Sequence, residues 1–222
     1  MLTPTAQRSQ ASPVGFNVAA IMLALALLGL GLAYAIDAAS RHSREAPHRA
    51  DEETALTRTI GERDLEIPLS WFRYAEQRVE GFAKQIDLQL SVPLGPGAQM
   101  RSVEVTLLPR SRARPSSRLL DGVYLHQFLP EQLSGPPGLV GKPLAGKDGF
   151  EGETAWYDPL SADPFVAKCS APVTPDAQAR CLRTVHLGPS IAAVYAFDAD
   201  VLANWRRFDD EMQPLLKRIG VF

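Results

Sequence analysis

The sequence predicts an α+β protein: an N-terminal transmembrane helix, then a mainly antiparallel β domain (sandwich or open barrel) with a C-terminal amphipathic helix packed on it. Three observations lead there. Residues 14–36 carry no charged side chain. The middle of the chain is a series of short segments that alternate apolar and polar residues between Pro/Gly turns. The C-terminal stretch changes to a helical period.

At 222 residues and 45% hydrophobic, the chain can bury a core in one or two domains. A net charge of −2 gives no global argument for nucleic acid or for an acidic partner. The leader "VGFNVAAIMLALALLGLGLAYAI" has Asn17 as its one strongly polar side chain. It meets the roughly 20 apolar residues that a membrane span needs. The alternative is a cleaved signal peptide with Ala33-Tyr34-Ala35 as its small-x-small site. Flanking charge pulls one way, since Arg41, Arg44 and Arg49 follow the span and only Arg8 precedes it. Translocation of long domains regardless of such charges, together with the cysteine pair, pulls the other way. The expected organisation is a cytoplasmic tail at 1–13, a transmembrane helix at 14–36 touching the lipid bilayer, a charged tether at 37–56 and a periplasmic domain at 57–222. The location is then the inner membrane, or the soluble periplasm if the leader is cleaved.

Within the domain, "TRTIGERDLEIP" reads as a small hairpin turning at Gly61-Glu62-Arg63-Asp64. "QIDLQLSV" puts Ile86, Leu88, Leu90 and Val92 on one face and Asp87, Gln89 and Ser91 on the other, the period of a half-buried strand. "RSVEVTLL" repeats the pattern, and "PLGPGAQM" between them supplies turn residues. Segments 119–128, 153–157, 164–169, 181–187 and 191–197 are further strand candidates. After Asp198-Ala199-Asp200, the apolar residues Val201, Trp205, Phe208, Met212, Leu215 and Ile219 step by fours and threes, one stripe of a helix over 199–219. Asp198 or Asp200 is placed to cap it, Lys217 and Arg218 suit its end, and Pro214 should kink or split it. The stripe should dock on the sheet; Trp205 and Phe208 are also the candidate face for a partner.

The two cysteines, Cys169 and Cys181, flank "SAPVTPDAQAR". Zinc needs about four ligands, and none stand at a characteristic spacing. Redox pairs are normally Cys-x-x-Cys. Two strand-like segments joined through Pro172 and Pro175 would bring the thiols face to face, so the expected role is a disulfide staple in an oxidising compartment.

"GKPLAGKD" at 141–148 imitates a phosphate loop, but Asp148 stands where Ser or Thr should hold magnesium, and no helix follows. All of 134–149, "SGPPGLVGKPLAGKDG", reads as one long exposed connection. Arg110, Arg112, Arg114 and Arg118 in "PRSRARPSSR" read as a solvated loop, with an anionic contact as the sharper alternative. His126 and His186 lie within strand patterns without a spaced partner, and Asp158 and Asp163 precede prolines as turn formers. No catalytic, cofactor-binding or metal-ligating set emerges, and no nucleic-acid signature.

A leader span followed by "IGERDLEIPLSWFR" and "CLRTVHLGPSIAAVYAFDADVLANWRRFDDEM" resembles uncharacterised single-span proteins of Gram-negative envelopes, those of alphaproteobacteria included. The resemblance implies an inner-membrane anchor and a periplasmic domain, and brings no activity. The functional expectation is a membrane-anchored periplasmic binding or scaffolding protein, with another envelope protein as partner and no chemistry of its own. The alternatives are an envelope inhibitor or immunity protein masking a toxin, and a hydrolase with dispersed residues.

Overall fold

Alternation of buried and exposed side chains sets up two antiparallel ladders at the start of the domain. In the computed structural model, β1 (Ala55–Ile60) and β2 (Arg63–Pro68) form the hairpin that the sequence indicates, with Ile60 opposite Arg63. Gly61 takes φ 61° in its turn, a conformation that favours glycine. The structure describes residues 54–146, 149–172, 174 and 178–222, with Asn17, Val18, 22–24, 26–29 and 31 before them. The chain divides into two units, Met1–Arg49 and Ala50–Phe222.

The expected transmembrane helix is corrected: among the described residues, no helix is long and apolar enough to cross a membrane. The described residues of segment 14–36 are helical and exposed. The rest of that segment, the tail 1–13 and the tether up to residue 53 lie outside the described residues. The folded domain also starts earlier than 57, because β1 begins at Ala55.

β1 also pairs in parallel with β3 (Gly81–Phe82), giving a three-stranded sheet in the order β2-β1-β3. The larger sheet has seven strands in the order β4-β5-β10-β9-β8-β7-β6, all antiparallel. They are β4 (Ile86–Val92), β5 (Arg101–Pro109), β6 (Val140–Pro143), β7 (Glu153–Tyr157), β8 (Val166–Ser170), β9 (Arg180–Leu187) and β10 (Ile191–Asp198). The seven-stranded sheet is open, not closed into a barrel, and the small sheet and the C-terminal helix pack on a single face of it. Ile60, Leu65 and Ile67 of the hairpin, and Phe208, Met212, Leu216 and Ile219 of the C-terminal segment, share one core with the inward residues of β4, β5 and β10. A second, smaller cluster covers the opposite face at the β7–β8 end, where Leu120 and Tyr124 meet Ala155 and Val166.

Three local expectations change. Segment 119–128 is not a strand: Ser116–Gly122 is a helix and Tyr124–Gln127 a 3-10 turn, placing Leu120 and Tyr124 on the same cluster at helical spacing. Segment 134–149 is not wholly a loop, because β6 lies inside it. Gly141 of β6 backs onto Trp156, and a Cβ there would fall 2.5 Å from the indole ring. That glycine serves ring packing rather than a phosphate. The helix expected at 199–219 is a 3-10 segment, Ala199–Arg207, followed by an α-helix, Phe208–Arg218, that runs through Pro214. Within the α-helix Leu216 is buried, while Leu215 packs half-buried at the margin. Asp198 stands at the N-cap position, but its side chain makes no capping hydrogen bond; Asp198 and Asp200 bind Arg180 at 2.9 Å and Arg101 at 2.7 Å instead.

Candidate functional site

Cys169 and Cys181 face each other in the β8–β9 ladder and are joined by a disulfide. The ladder runs from Ser170↔Arg180 through the cysteines to Lys168↔Leu182 and stops there. Both strands continue beyond it. β7 follows β8 to Tyr157↔Val166, and β10 follows β9 to Ile191↔Leu187. Each strand thus keeps its other neighbour while the two part from one another. Continuing their register would set Val166 opposite Thr184.

Ser116 occupies that place. Its Oγ accepts the Thr184 amide at 2.8 Å, and the serine is only 6% exposed. Pro115 and Ser116 begin the Ser116–Gly122 helix, so the hydroxyl is brought to β9 by the start of that helix. Buried backbone donors are nearly always paired, and here a side chain replaces a strand.

In the opening lies a cleft of about 550 Å³. Ser117, Arg118 and Asp121 line it from the helix, Asp163 from the loop before β8, and Thr184 and His186 from β9. Arg118, Asp121 and Asp163 are exposed and enter no ion pair among the described residues. The cleft therefore offers both signs of charge to a ligand, together with hydroxyls. The His186 Nε2 lies 2.9 Å from the carbonyl oxygen of Ala113. A carbonyl only accepts, so Nε2 carries the proton.

Arg183 closes one wall and is committed inward. It is 7% exposed, and its guanidinium forks onto the Asp209 carboxylate, with Nη2 donating to Oδ2 at 2.8 Å. It also lies 4.5 Å from the Phe165 ring centroid and 5.5 Å from that of Phe208. A charge on the core face of β9 is tolerated because it is both paired and stacked. The same side chain ties the cleft wall to the first turn of the C-terminal helix.

The other sequence candidates are dispersed. Arg110 and Arg112 donate to the carbonyls of Gly188 and Lys84, each at 3.1 Å, and Arg114 is exposed; only Arg118 of the four lines the cleft. His126 is exposed in the 3-10 turn rather than in a strand. Trp205 and Phe208, the candidate partner face, are 9% and 0% exposed. Phe208 packs against Phe165, Tyr195 and Phe197, while the Trp205 Nε1 donates to the Pro137 carbonyl at 3.2 Å. Both belong to the core. No group of His, Cys, Asp and Glu that could hold a metal occurs among the described residues.

Sequence reasoning passed over Ser116, Asp121 and Arg183. Arg183 did leave a signal: in "CLRTVHL" it occupies the inward parity with Cys181, Val185 and Leu187. A charge at a core position of a strand calls for a partner. Ser116 left none, because its bond reaches 68 positions along the chain.

No family model matches the chain, and no curated protein does. Among solved structures, it is similar to the crystal structure of the Neisseria meningitidis iron-regulated outer membrane lipoprotein FrpD, with a TM-score of 0.44 and 8% identity. The match covers 78% of this chain and 93% of that one.

Proposed function

We propose that this chain is a binding or scaffolding module of an oxidising cell-envelope compartment, and that the cleft between β8 and β9 receives its partner. The observation that carries the reading is the parting of the two strands around a polar cleft whose charged rim is unpaired among the described residues. A polar concavity with convergent charged groups is the usual form of a ligand site. Compartment is argued from the Cys169–Cys181 disulfide, since such bonds persist in oxidising spaces and are rare in the cytosol.

A hydrolase is the second reading, favoured by His186, Ser117, Asp121 and Asp163 sharing one cleft. Hydrolysis by a serine or by activated water needs the base within hydrogen-bond reach of its nucleophile or orienting carboxylate. Among the described residues, the side-chain hydrogen bond of His186 goes to the Ala113 carbonyl, and none joins it to Ser117, Asp121 or Asp163. Binding is the better fit.

The test is recovery of partners by the full chain in its own host, beside Ser117→Trp, which fills the cleft. The expected result is a partner lost from Ser117→Trp while both chains keep the disulfide and the same melting curve. Equal recovery from both would remove the cleft from the account.

A further inference from the structure

We infer that the cleft is a docking slot for an extended peptide segment, paired through its backbone with β9. The inference rests on the reading of the cleft as the binding site and adds the chemical class of its occupant.

The ladder registers decide which backbone groups face the slot. In an antiparallel ladder, hydrogen-bonded pairs alternate along each strand. The Thr184 amide turns away from β10 to Ser116. His186 stands two residues on in the same ladder, opposite Ala192 where Thr184 is opposite Val194. Its N–H and C=O therefore also point away from β10, towards the slot, as does the carbonyl of Thr184. Strand β8 follows the same rule. Lys168 is opposite Leu182, which shares the parity of Thr184, so Val166, two residues before Lys168, turns its own amide and carbonyl to the same side.

The outer edges of the sheet are treated differently. Along β4, the Arg73 amide donates to the Asp87 carbonyl at 2.9 Å and Phe72 bridges Leu88. Along β6, the amides of Leu129 and Leu133 donate to the carbonyls of Pro143 and Gly141, both at 2.9 Å. Open strand edges are ordinarily covered or blunted. Here the chain covers the two outer edges, while the interior edge of β9 is met by Ser116 at the Thr184 amide and faces the cleft beyond it at His186.

Size and side-chain chemistry agree with a peptide. A strand residue fills about 160 Å³, from a rise of about 3.3 Å, a strand spacing of about 4.8 Å and a sheet spacing of about 10 Å. The cleft of about 550 Å³ then holds three to four residues, on the order of the stretch of β9 beyond Leu182. Backbone pairing would supply affinity, as in other strand additions, and flanking pockets the choice of side chains. Arg118 and Asp121 on the helix wall and Asp163 on the wall before β8 suit a segment carrying both an acidic and a basic residue.

The probe is a library of random linear dodecapeptides selected on the full chain and counter-selected on Ser117→Trp. Peptides recovered this way are remade with N-methyl groups on every second residue, in both parities. The expected result is at least a tenfold loss of affinity in one parity or both, and at least a tenfold slowing of His186 amide exchange when the unmodified peptide binds. Affinity unchanged in both parities, or His186 exchange unchanged, overturns the inference, as does failure to enrich any peptide over the counter-selection. Exchange is read on the unsubstituted chain, so it holds even if Ser117→Trp folds poorly. If Ser117→Trp loses a host partner while no peptide protects His186, the cleft keeps its role and the peptide inference falls alone.

Discussion

Ser116 Oγ takes the amide of Thr184 at 2.8 Å, in the place where the β8–β9 register would put Val166. One buried hydroxyl thus ends a strand pairing and holds open the cleft on which the functional account rests. Ser116→Ala removes the acceptor and leaves a backbone donor without its partner. An unsatisfied buried donor costs about 1–3 kcal/mol. The expected outcome is a loss of stability in that range by urea unfolding, with faster exchange of the Thr184 amide and little change at Leu90 in β4.

Asp87 makes stability depend on acid. It lies on the outward parity of β4 yet is 7% exposed. Burial works to raise its pKa. Hydrogen bonds from Thr106, Gln85 and Gln77 and the nearby charge of Arg73 outweigh that and hold it below the ordinary 3.8. A depressed carboxylate contributes stability that is fully present above its unfolded pKa and is lost as pH falls through the folded one. Urea melts of the parent at pH 7, 4 and 3 should therefore show a steeper acid decline below about pH 3.8 than Asp87→Asn, which cannot titrate. Parallel declines would mean that another group sets the acid limit.

The local parts of this fold were legible in the sequence because neighbours along the chain decide them. The β1–β2 hairpin, the alternation of β4 and β5 and the stripe from Val201 to Met212 each follow from a period of two or of about 3.6. The disulfide followed from two strand-like flanks around a proline turn. What failed depended on distant partners. Leu120 and Tyr124 looked like strand residues because a short apolar run has no clear period; only their contact with Ala155 and Val166 shows a helix. Asp87 looked solvent-facing until Gln77, Gln85 and Thr106 enclosed it. The cleft was invisible because it is made where two strands part, at the instance of a serine remote in sequence.

Trp205→Ala should destabilise strongly. Its ring packs 5.6 Å from that of Phe165 within the main core. Truncating a buried aromatic costs about 3–5 kcal/mol. Arg206, next to it, is exposed and lies over the same indole at 4.5 Å while donating to the Pro137 carbonyl. Arg206→Ala should cost less than about 1 kcal/mol, the usual range for an exposed contact. Denaturant melts of the two variants beside the parent check the contrast. A Trp205→Ala chain that melts like its parent would take the tryptophan out of the core.

Cys169→Ser with Cys181→Ser should lower stability by about 3 kcal/mol, the loop-entropy value for a bridge closing a loop of this size. In the native host, the bridge should be oxidised. Intact cells treated with a thiol-blocking reagent before lysis, then reduced and labelled, should give two labelled cysteines per chain. Cysteines already blocked at the first step would place the domain in a reducing compartment and contradict the envelope reading.

The most direct test of the cleft as the binding site is photo-crosslinking in living host cells. A photoreactive residue replaces Ser117, which lines the cleft, or Phe82, which is 82% exposed on β3 of the other sheet. The account predicts a discrete adduct from position 117, competed away by a peptide selected for the slot, and no such adduct from position 82. The same adduct from both positions, or none from position 117 while partner recovery stays intact, would contradict it.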